Sequence, residues 1–314
     1  MANEFKHVCV TGGAGFIGSH VVEALLRKRV GVTVLDNLSV GRRENVPSGV
    51  PIVVGDILDP EFVADILSGC DVVFHLAARV AIRSSFEFAM QDTMTNVAGT
   101  ASVLRAARST GSVRKVITAS SMAVYGEALD QVPFPETLDT APISPYGVSK
   151  LAAERLTHLM CAEAGMQSAV LRLFNTYGPR QALSPYVGVI TIFINKLLNE
   201  ERPTIFGDGE QCRDFVHVQD VAAAFVGAMD ANVSGETFNI GSGAPRTVND
   251  VLKSLNKITG PAVAPQYVDA VPGELRYSVA DISKARRLLG YEPVHNFDSS
   301  LKDLIGEFQS NMLA

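Results

Sequence analysis

The segment that most restricts the fold of this chain is Thr11-Gly12-Gly13-Ala14-Gly15-Phe16-Ile17-Gly18, because of what stands on either side of it. Val8 to Val10 precede it as an apolar strand, and a helical pattern opens at Ser19. A bare G-x-G-x-x-G is a weak signal, but between a strand and a helix it is a strong one. The missing side chains let a pyrophosphate approach the backbone, and the helix N-terminus behind the turn attracts anions. The competing reading is a glycine turn that only packs one helix on one strand.

Short β-branched runs then recur at residues 7–11, 32–36, 52–54, 71–76, 115–119 and 168–173. Segments of helical length and spacing, such as 19–28 and 97–109, separate them. The runs are nearly continuously apolar, as parallel strands covered on both faces must be. The expectation is an α/β fold, a Rossmann-type doubly wound parallel sheet. Past Asn175 the rhythm breaks at Gly178-Pro179, Pro185, Pro203, Gly207 and Gly209, where a smaller lobe begins. Residues 216–229, 247–259 and 282–289 read as helices. The expected division is a dinucleotide-binding domain at 1–175, rejoined by 218–241, and a second lobe from 176–217 and 242–314.

Bulk properties exclude several classes. With 314 residues the chain exceeds what one core usually holds. Its net charge of −6, with Lys and Arg scattered, leaves no footprint for nucleic acid. Cys9, Cys70, Cys161 and Cys212 have neither metal-ligand nor disulfide-framework spacing, which predicts no metal and a reducing cytoplasm. Residues 1–6 lead almost directly into a strand pattern with no export signal. The most apolar windows, 187–194 and 221–229, fall far short of the roughly 20 residues that span a bilayer. A soluble cytoplasmic protein without membrane or nucleic-acid partners is expected.

The segment Tyr146-Gly147-Val148-Ser149-Lys150 puts a phenol and an ammonium four residues apart, on one face of a helix. Lys150 beneath Tyr146 would lower a phenol pKa that is about 10 when unperturbed, giving a base near neutrality. Separately, each residue has a plainer reading, a packed helix-start ring and a solvated helix charge. Together with the glycine turn they predict redox chemistry on a nicotinamide. Asp36 closes the second strand at a spacing suited to an adenosine ribose, which favours NAD. Arg42 and Arg43 would suit NADP, but Asp36 would repel a 2′-phosphate, and solvated loop charges account for both arginines.

Several motifs together make the chain resemble the extended short-chain dehydrogenase/reductase family, and within it the UDP-hexose 4-epimerases, along nearly its whole length. They are the glycine turn, Asp36-Asn37-Leu38-Ser39, Gly55-Asp56-Ile57, His75-Leu76-Ala77-Ala78, the tyrosine-lysine segment, Phe174-Asn175-Thr176-Tyr177-Gly178-Pro179-Arg180-Gln181 and Arg213-Asp214-Phe215-Val216-His217. The resemblance implies that NAD is held by Gly12, Gly15, Phe16, Ile17, Gly18, Asp36, Asn37, Ser39, Gly41, Asp56, Ile57, Leu76, Ala77, Ala78, Tyr146 and Lys150. It implies Tyr146, Lys150 and Ser121 as the catalytic set. A UDP-sugar would be bound through Ser121, Asn175, Val189, Ile205, Arg213, Arg276 and Ser278. The helix at 96–108 and the one after Tyr146 resemble the pair that forms a four-helix homodimer interface in relatives; covering the sheet is their other reading.

Within that resemblance, the residues after Ser121 separate the chemistries. Related 4,6-dehydratases carry an Asp-Glu pair where this chain has Met122 and Ala123, and decarboxylases carry a glutamate at the Ala123 position. Neither a thioether nor a methyl shuttles protons. What remains is NAD-dependent C4 epimerisation of a UDP-hexose through a transient 4-keto sugar, glucose/galactose first and the N-acetylated forms next, with the small Ser278 as the size gate. Val271 stands where many relatives have a diphosphate-binding arginine; Arg276 would take over that contact, or else it reads equally as an exposed loop arginine. Ile205 and Phe206 lie where relatives flank the uracil, and the pair reads equally as core residues. The alternatives are a UDP-glucuronate 4-epimerase, a sugar-nucleotide reductase or a 4,6-dehydratase, or a nucleotide sensor without catalysis. Against the glucuronate enzyme, Asn175 and Ala182 replace the threonine and arginine expected there.

Overall fold

Apolar runs too short to be helices become strands because neighbouring runs pair with them and helices cover both faces. The computed structural model describes residues 5–80, 82–127, 131–183, 188–260, 262–270 and 275–313. It begins with β1 (His7–Thr11), α1 (Phe16–Arg27), β2 (Gly31–Asp36), β3 (Ile52–Val54), α2 (Pro60–Leu67) and β4 (Val72–His75). Next come α3 (Ala89–Asp92) and α4 (Gly99–Thr110), joined by a π-helical turn at Thr93–Ala98, then β5 (Lys115–Ser121), α5 (Pro145–Glu163) and β6 (Gln167–Leu173). The rest comprises β7 (Asn175–Tyr177), α6 (Val189–Leu198), β8 (Thr204–Phe206), β9 (Cys212–His217), α7 (Val218–Asp230) and β10 (Glu236–Ile240). β11 (Pro245–Thr247), α8 (Val248–Thr259), β12 (Gln266–Val268), β13 (Tyr277–Ser278), α9 (Ser283–Leu289) and α10 (Phe297–Leu313) complete it.

Seven strands form one parallel sheet in the order β3-β2-β1-β4-β5-β6-β10. This is the expected doubly wound α/β sheet, and its order reverses between β1 and β4. Alternate residues of each strand enter opposite cores. Val8, Val10, Phe74 and Ile117 pack with α1 and α7 on one face, while Cys9, Val73 and Val116 pack with α2, α4 and α5 on the other. All seven are fully buried, and each large apolar side chain among them contributes about 1.5–3 kcal/mol.

A second, smaller sheet centres on β9, which pairs with β11 antiparallel and with β7 and β13 in parallel. Its core comes from α6, α8 and α10 with Ile205 and Phe215. Two helix expectations need correction. Val216 and His217 belong to β9 because they pair with Thr176 and Tyr177, so α7 starts at Val218. The helix expected at 97–109 is preceded by helical turns from Ala89, with the π turn between. The apolar run around 189–198 is α6, and no helix among the described residues is long and apolar enough to cross a membrane.

Candidate functional site

The glycine turn sits at the strand-order reversal. Gly12 has φ +71°, and a Cβ there would stand 2.7 Å from the Ala77 nitrogen; one on Gly18 would stand 2.1 Å from the Gly12 carbonyl. These positions have no room for a side chain. α1 starts after Gly15 with no side-chain cap and no acidic residue in its first turn. Among the described residues no side chain caps the amides of Phe16, Ile17 and Gly18 at the positive end of the helix dipole, a donor set that fits a dinucleotide diphosphate.

Asp36 ends β2 beside the turn, largely buried, its Oδ2 accepting from the Ala14 amide at 3.0 Å and its Oδ1 from the Leu38 amide at 2.8 Å. Asn37 and Ser39 are exposed just beyond, with Asn37 Oδ1 accepting from the Ser39 amide, and Gly41 lies against Ala14 and Asp36. Arg42 and Arg43 are exposed. Asp56 follows β3 and accepts from the Leu58 amide. The Ile57 side chain is buried against Gly99 in the α2–α4 core, so only its backbone is left for an adenine. Leu76, Ala77 and Ala78 follow β4; the Leu76 amide donates to the Thr11 carbonyl and the Ala77 amide to Thr11 Oγ1.

Beneath this edge runs a buried polar chain that joins the glycine turn, the His75 motif and the tyrosine-lysine segment through Thr100 and Asn96. His75 Nδ1 meets Thr11 Oγ1 at 2.8 Å and its Nε2 meets Thr100 Oγ1 at 2.9 Å. Asn96, in the π turn, accepts from the Arg79 amide, donates to the Arg79 carbonyl and donates to Ser149 Oγ, which donates to the Tyr146 carbonyl. The chain therefore links the glycine turn to α5. Burial first, and the Lys150 charge second, hold the His75 imidazole neutral with its pKa lowered to about 3.

α5 is opened by Ser144, whose Oγ accepts from the Gly147 amide, with Pro145 at the first helical position. A Cβ on Gly147 would lie 2.2 Å from the Ala123 carbonyl. That close approach brings Tyr146 to the turn after β5, where Ser121, its Oγ accepting from the Ala123 amide at 3.2 Å, stands near enough to the phenol to lower its pKa against the effect of burial. Tyr146, Lys150, Met122 and Ala123 are all buried. The expectation that Lys150 lowers the phenol needs correction. Lys150 Nζ donates to the Ala119 carbonyl at 2.8 Å, and burial pushes Tyr146 up to about 12, with Ser121 opposing and Asp92 adding to the rise. Burial likewise lowers Lys150 to about 8, opposed by Glu154. Shared helix face did not produce direct contact because the lysine's nearer acceptor is on β5.

On the smaller sheet, strand pairing gathers residues distant in sequence. Arg213 on β9 is in register with Ser278 on β13, and Asn175 on β7 with Phe215 on β9. Arg213 is largely buried, with Nη1 donating to the Cys212 carbonyl at 2.9 Å. Asn175 Nδ2 and Ser278 Oγ are buried atoms without a partner among the described residues, as polar groups awaiting a ligand would be. Val189 is half-buried at the start of α6. Ile205 is in the third core at 1% exposure, so its core reading holds and the half-buried neighbour Phe206 is the apolar candidate there. Arg276 is exposed and its guanidinium forks onto Asp208 at 2.7 and 2.8 Å, so it does not stand open to a diphosphate. Val271, Gly273 and Glu274 lie outside the described residues. Among the described residues no group of three potential ligands could hold a metal.

Residues that sequence reasoning missed include Glu154, which repeats the four-residue step from Tyr146 and Lys150 and was legible by that spacing alone. The family model for NAD dependent epimerases and dehydratases matches residues 8–241. A putative UDP-glucose 4-epimerase of Methanocaldococcus jannaschii is 38% identical over 308 residues, 97% of this chain and 99% of that protein. A UDP-N-acetyl-alpha-D-glucosaminuronate decarboxylase of Bacillus cytotoxicus is 33% identical over 97% of this chain and 98% of its own length. The crystal structure of UDP-glucose 4-epimerase with UDP-glucose from Thermotoga maritima superposes with a TM-score of 0.93 at 39% identity, covering 98% of this chain and 99% of that one. The chain belongs to the NAD dependent epimerase/dehydratase family.

Proposed function

We propose that this chain is an NAD-dependent UDP-hexose 4-epimerase, acting on UDP-glucose and UDP-galactose through a 4-keto sugar. The observation that carries the reading is a buried phenol, Tyr146, with the Ser121 hydroxyl beside it and Lys150 one helical turn on, next to an uncapped glycine-turn helix. Bound NAD would supply a reversible hydride acceptor for C4 and, when oxidised, a positively charged nicotinamide. Gly12, Gly15 and the amides of Phe16, Ile17 and Gly18 receive its diphosphate, Asp36 with Asn37, Ser39 and Gly41 its adenosine ribose, and Asp56 with the Ile57 backbone its adenine. Leu76, Ala77 and Ala78 flank it, and Lys150 holds the nicotinamide ribose.

Protein groups alone keep Tyr146 protonated, so its ionisation belongs to the loaded state. Ser121 Oγ orients the sugar 4-hydroxyl while Tyr146 Oη takes its proton. Tyr146 holds that proton and gives it back once the 4-keto sugar presents its other face. Asn175 Nδ2 and Arg213 bind the diphosphate, joined by Arg276 if it leaves Asp208; Phe206 and Val189 line the nucleotide. Buried Met122 and Ala123 offer no acid or base for water elimination or decarboxylation, which favours epimerisation over the reaction of the glucosaminuronate relative. The small buried Ser278, with its unpartnered hydroxyl, supports N-acetylated hexoses as a second substrate class.

The decisive experiment incubates the enzyme with UDP-, TDP- and GDP-sugars and identifies products by NMR. Inversion at C4 of UDP-hexoses is expected, and Tyr146→Phe should keep bound NAD while losing inversion; undiminished turnover in that variant refutes its role. A homodimer is part of the reading, supported by the exposed apolar side chains Phe86, Met90, Met94, Val148 and Leu159 around α3, the π turn and α5. Sedimentation would test it. The return of 218–241 to the unit at 1–175 is supported by the pairing of β10 with β6, whereas Ile282, Ala285, Leu289 and Tyr291 pack in the core of that same unit, so 242–314 is not wholly part of the second lobe. Four free cysteines support a cytoplasmic setting.

A further inference from the structure

Three consecutive residues at the carboxyl end of β5 each engage one position on the buried face of α5. The Ala119 carbonyl accepts from Lys150 Nζ at 2.8 Å, Ser120 Oγ donates to Glu154 Oε1 at 2.5 Å, and the Ser121 hydroxyl stands beside the Tyr146 phenol. Positions 146, 150 and 154 are four apart and share one face of the helix. Glu154 is 2% exposed, a burial that a carboxylate tolerates only when paired. Its pairing is complete. Arg172 on β6 sends Nε to Oε1 at 2.9 Å and Nη2 to Oε2 at 2.8 Å, and its Nη1 reaches the Tyr125 hydroxyl at 2.7 Å. Tyr125 donates in turn to Asn239 on β10. One carboxylate therefore ties α5 to β5 and β6 directly and to β10 through Arg172 and Tyr125.

We propose that Glu154 is a positioning residue for Tyr146 and Lys150, keeping α5 in register with the end of β5 and supplying the counter-charge that holds Lys150 as an ammonium inside the protein. The inference rests on the roles given above to Tyr146 and Lys150. The other groups around Lys150 do not replace it. His75 on β4 is kept neutral, Arg172 on β6 is engaged by Glu154 and Tyr125, and Asp92 on α3 acts on Tyr146. Among charges, Glu154 is the one that opposes the effect of burial on Lys150. Removing it lowers the lysine further, so the ammonium is lost as pH rises through a lower midpoint.

The test reads Lys150 directly, by NMR titration of the intact protein with carbon-13-labelled lysine side chains, assigned with Lys150→Met. Glu154→Gln is expected to lower the Lys150 midpoint by about one unit or more. NAD affinity, measured by calorimetry without any sugar, should fall more at about pH 8 than at about pH 6.5 in this variant. Glu154→Asp keeps the charge and should recover most of the midpoint. Because Glu154→Gln leaves the Arg172 guanidinium unpaired, Glu154→Leu with Arg172→Met removes both charges together, and the midpoint should fall again. A midpoint unchanged from wild type in either variant overturns the proposal. Neither readout needs C4 inversion, so failure of the Tyr146→Phe test would sink the assigned reaction while leaving this result to be read on its own.

Discussion

One buried chain at the edge of the seven-stranded sheet and two side chains of the small sheet around β9 differ in how their polar atoms are satisfied. At the first, Thr11, His75, Thr100, Asn96 and Ser149 bind one another or the backbone in one chain of hydrogen bonds. At the second, Asn175 Nδ2 and Ser278 Oγ are buried with no partner among the described residues. A completed network makes a rigid seat whose shape precedes its ligand. Unpaired groups have a standing cost that only a ligand can offset. The contrast is between a chain of groups whose shape is set before any ligand arrives and two groups that a ligand would complete.

Matched asparagine substitutions would break this comparison most severely. Asn96→Leu strips partners from the Arg79 amide and carbonyl and from Ser149, and each group left unsatisfied should cost about 1–3 kcal/mol in denaturant unfolding. Asn175→Leu should cost almost no stability in the unliganded protein while raising KM for the UDP-sugar. Equal destabilisation by the two would erase the distinction. Next in size is Gly147→Ala, whose methyl would meet the Ala123 carbonyl at 2.2 Å. About 1–3 kcal/mol of strain is expected, with kcat falling more than KM rises, because α5 must back away from Ser121. Steady-state kinetics beside thermal unfolding would check both parts.

Acid offers a gentler probe of the completed chain. Burial lowers His75 from 6.5 to about 3, so between those values the unfolded chain binds the proton that the folded one refuses. The His75 contribution to stability is present above pH 6.5 and is lost as pH falls toward 3. Each histidine held this way adds at most about 1.4 kcal/mol per pH unit. His217, lowered to about 4 by burial first and His295 second, works in the same direction. His75→Gln should flatten the pH slope of the unfolding midpoint by one proton's worth, and an unaltered slope would deny that His75 is kept neutral. The smallest effect belongs to Arg276→Ala. Its pair with Asp208 is exposed on both sides, so stability should barely change, while KM for the UDP-sugar rises only if the arginine leaves Asp208 for the diphosphate.

Much of the first half was legible because its signals are local. Short β-branched runs separated by segments of helical length point to covered parallel strands, and glycines between a strand and a helix to a turn of close approach. The small sheet was less legible. Val216 and His217 looked helical because the residues that pair with them, Thr176 and Tyr177, lie far back in the sequence. Ile205 could not be assigned to core or ligand face until α6, α8 and α10 closed over it. Glu154 carried the right spacing, but its importance depends on Arg172 and Ser120, which other strands bring to it.

By itself the order of residues determined the parallel α/β architecture, the anion-ready start of α1 and the shared helix face of Tyr146, Lys150 and Glu154, since each follows from backbone sterics and periodicity over a few residues. Only the tertiary structure decided the charge states at that face and the partners of Arg276 and Glu154. Burial and the groups facing a side chain from other elements set its ionisation, and no spacing along one chain segment specifies them.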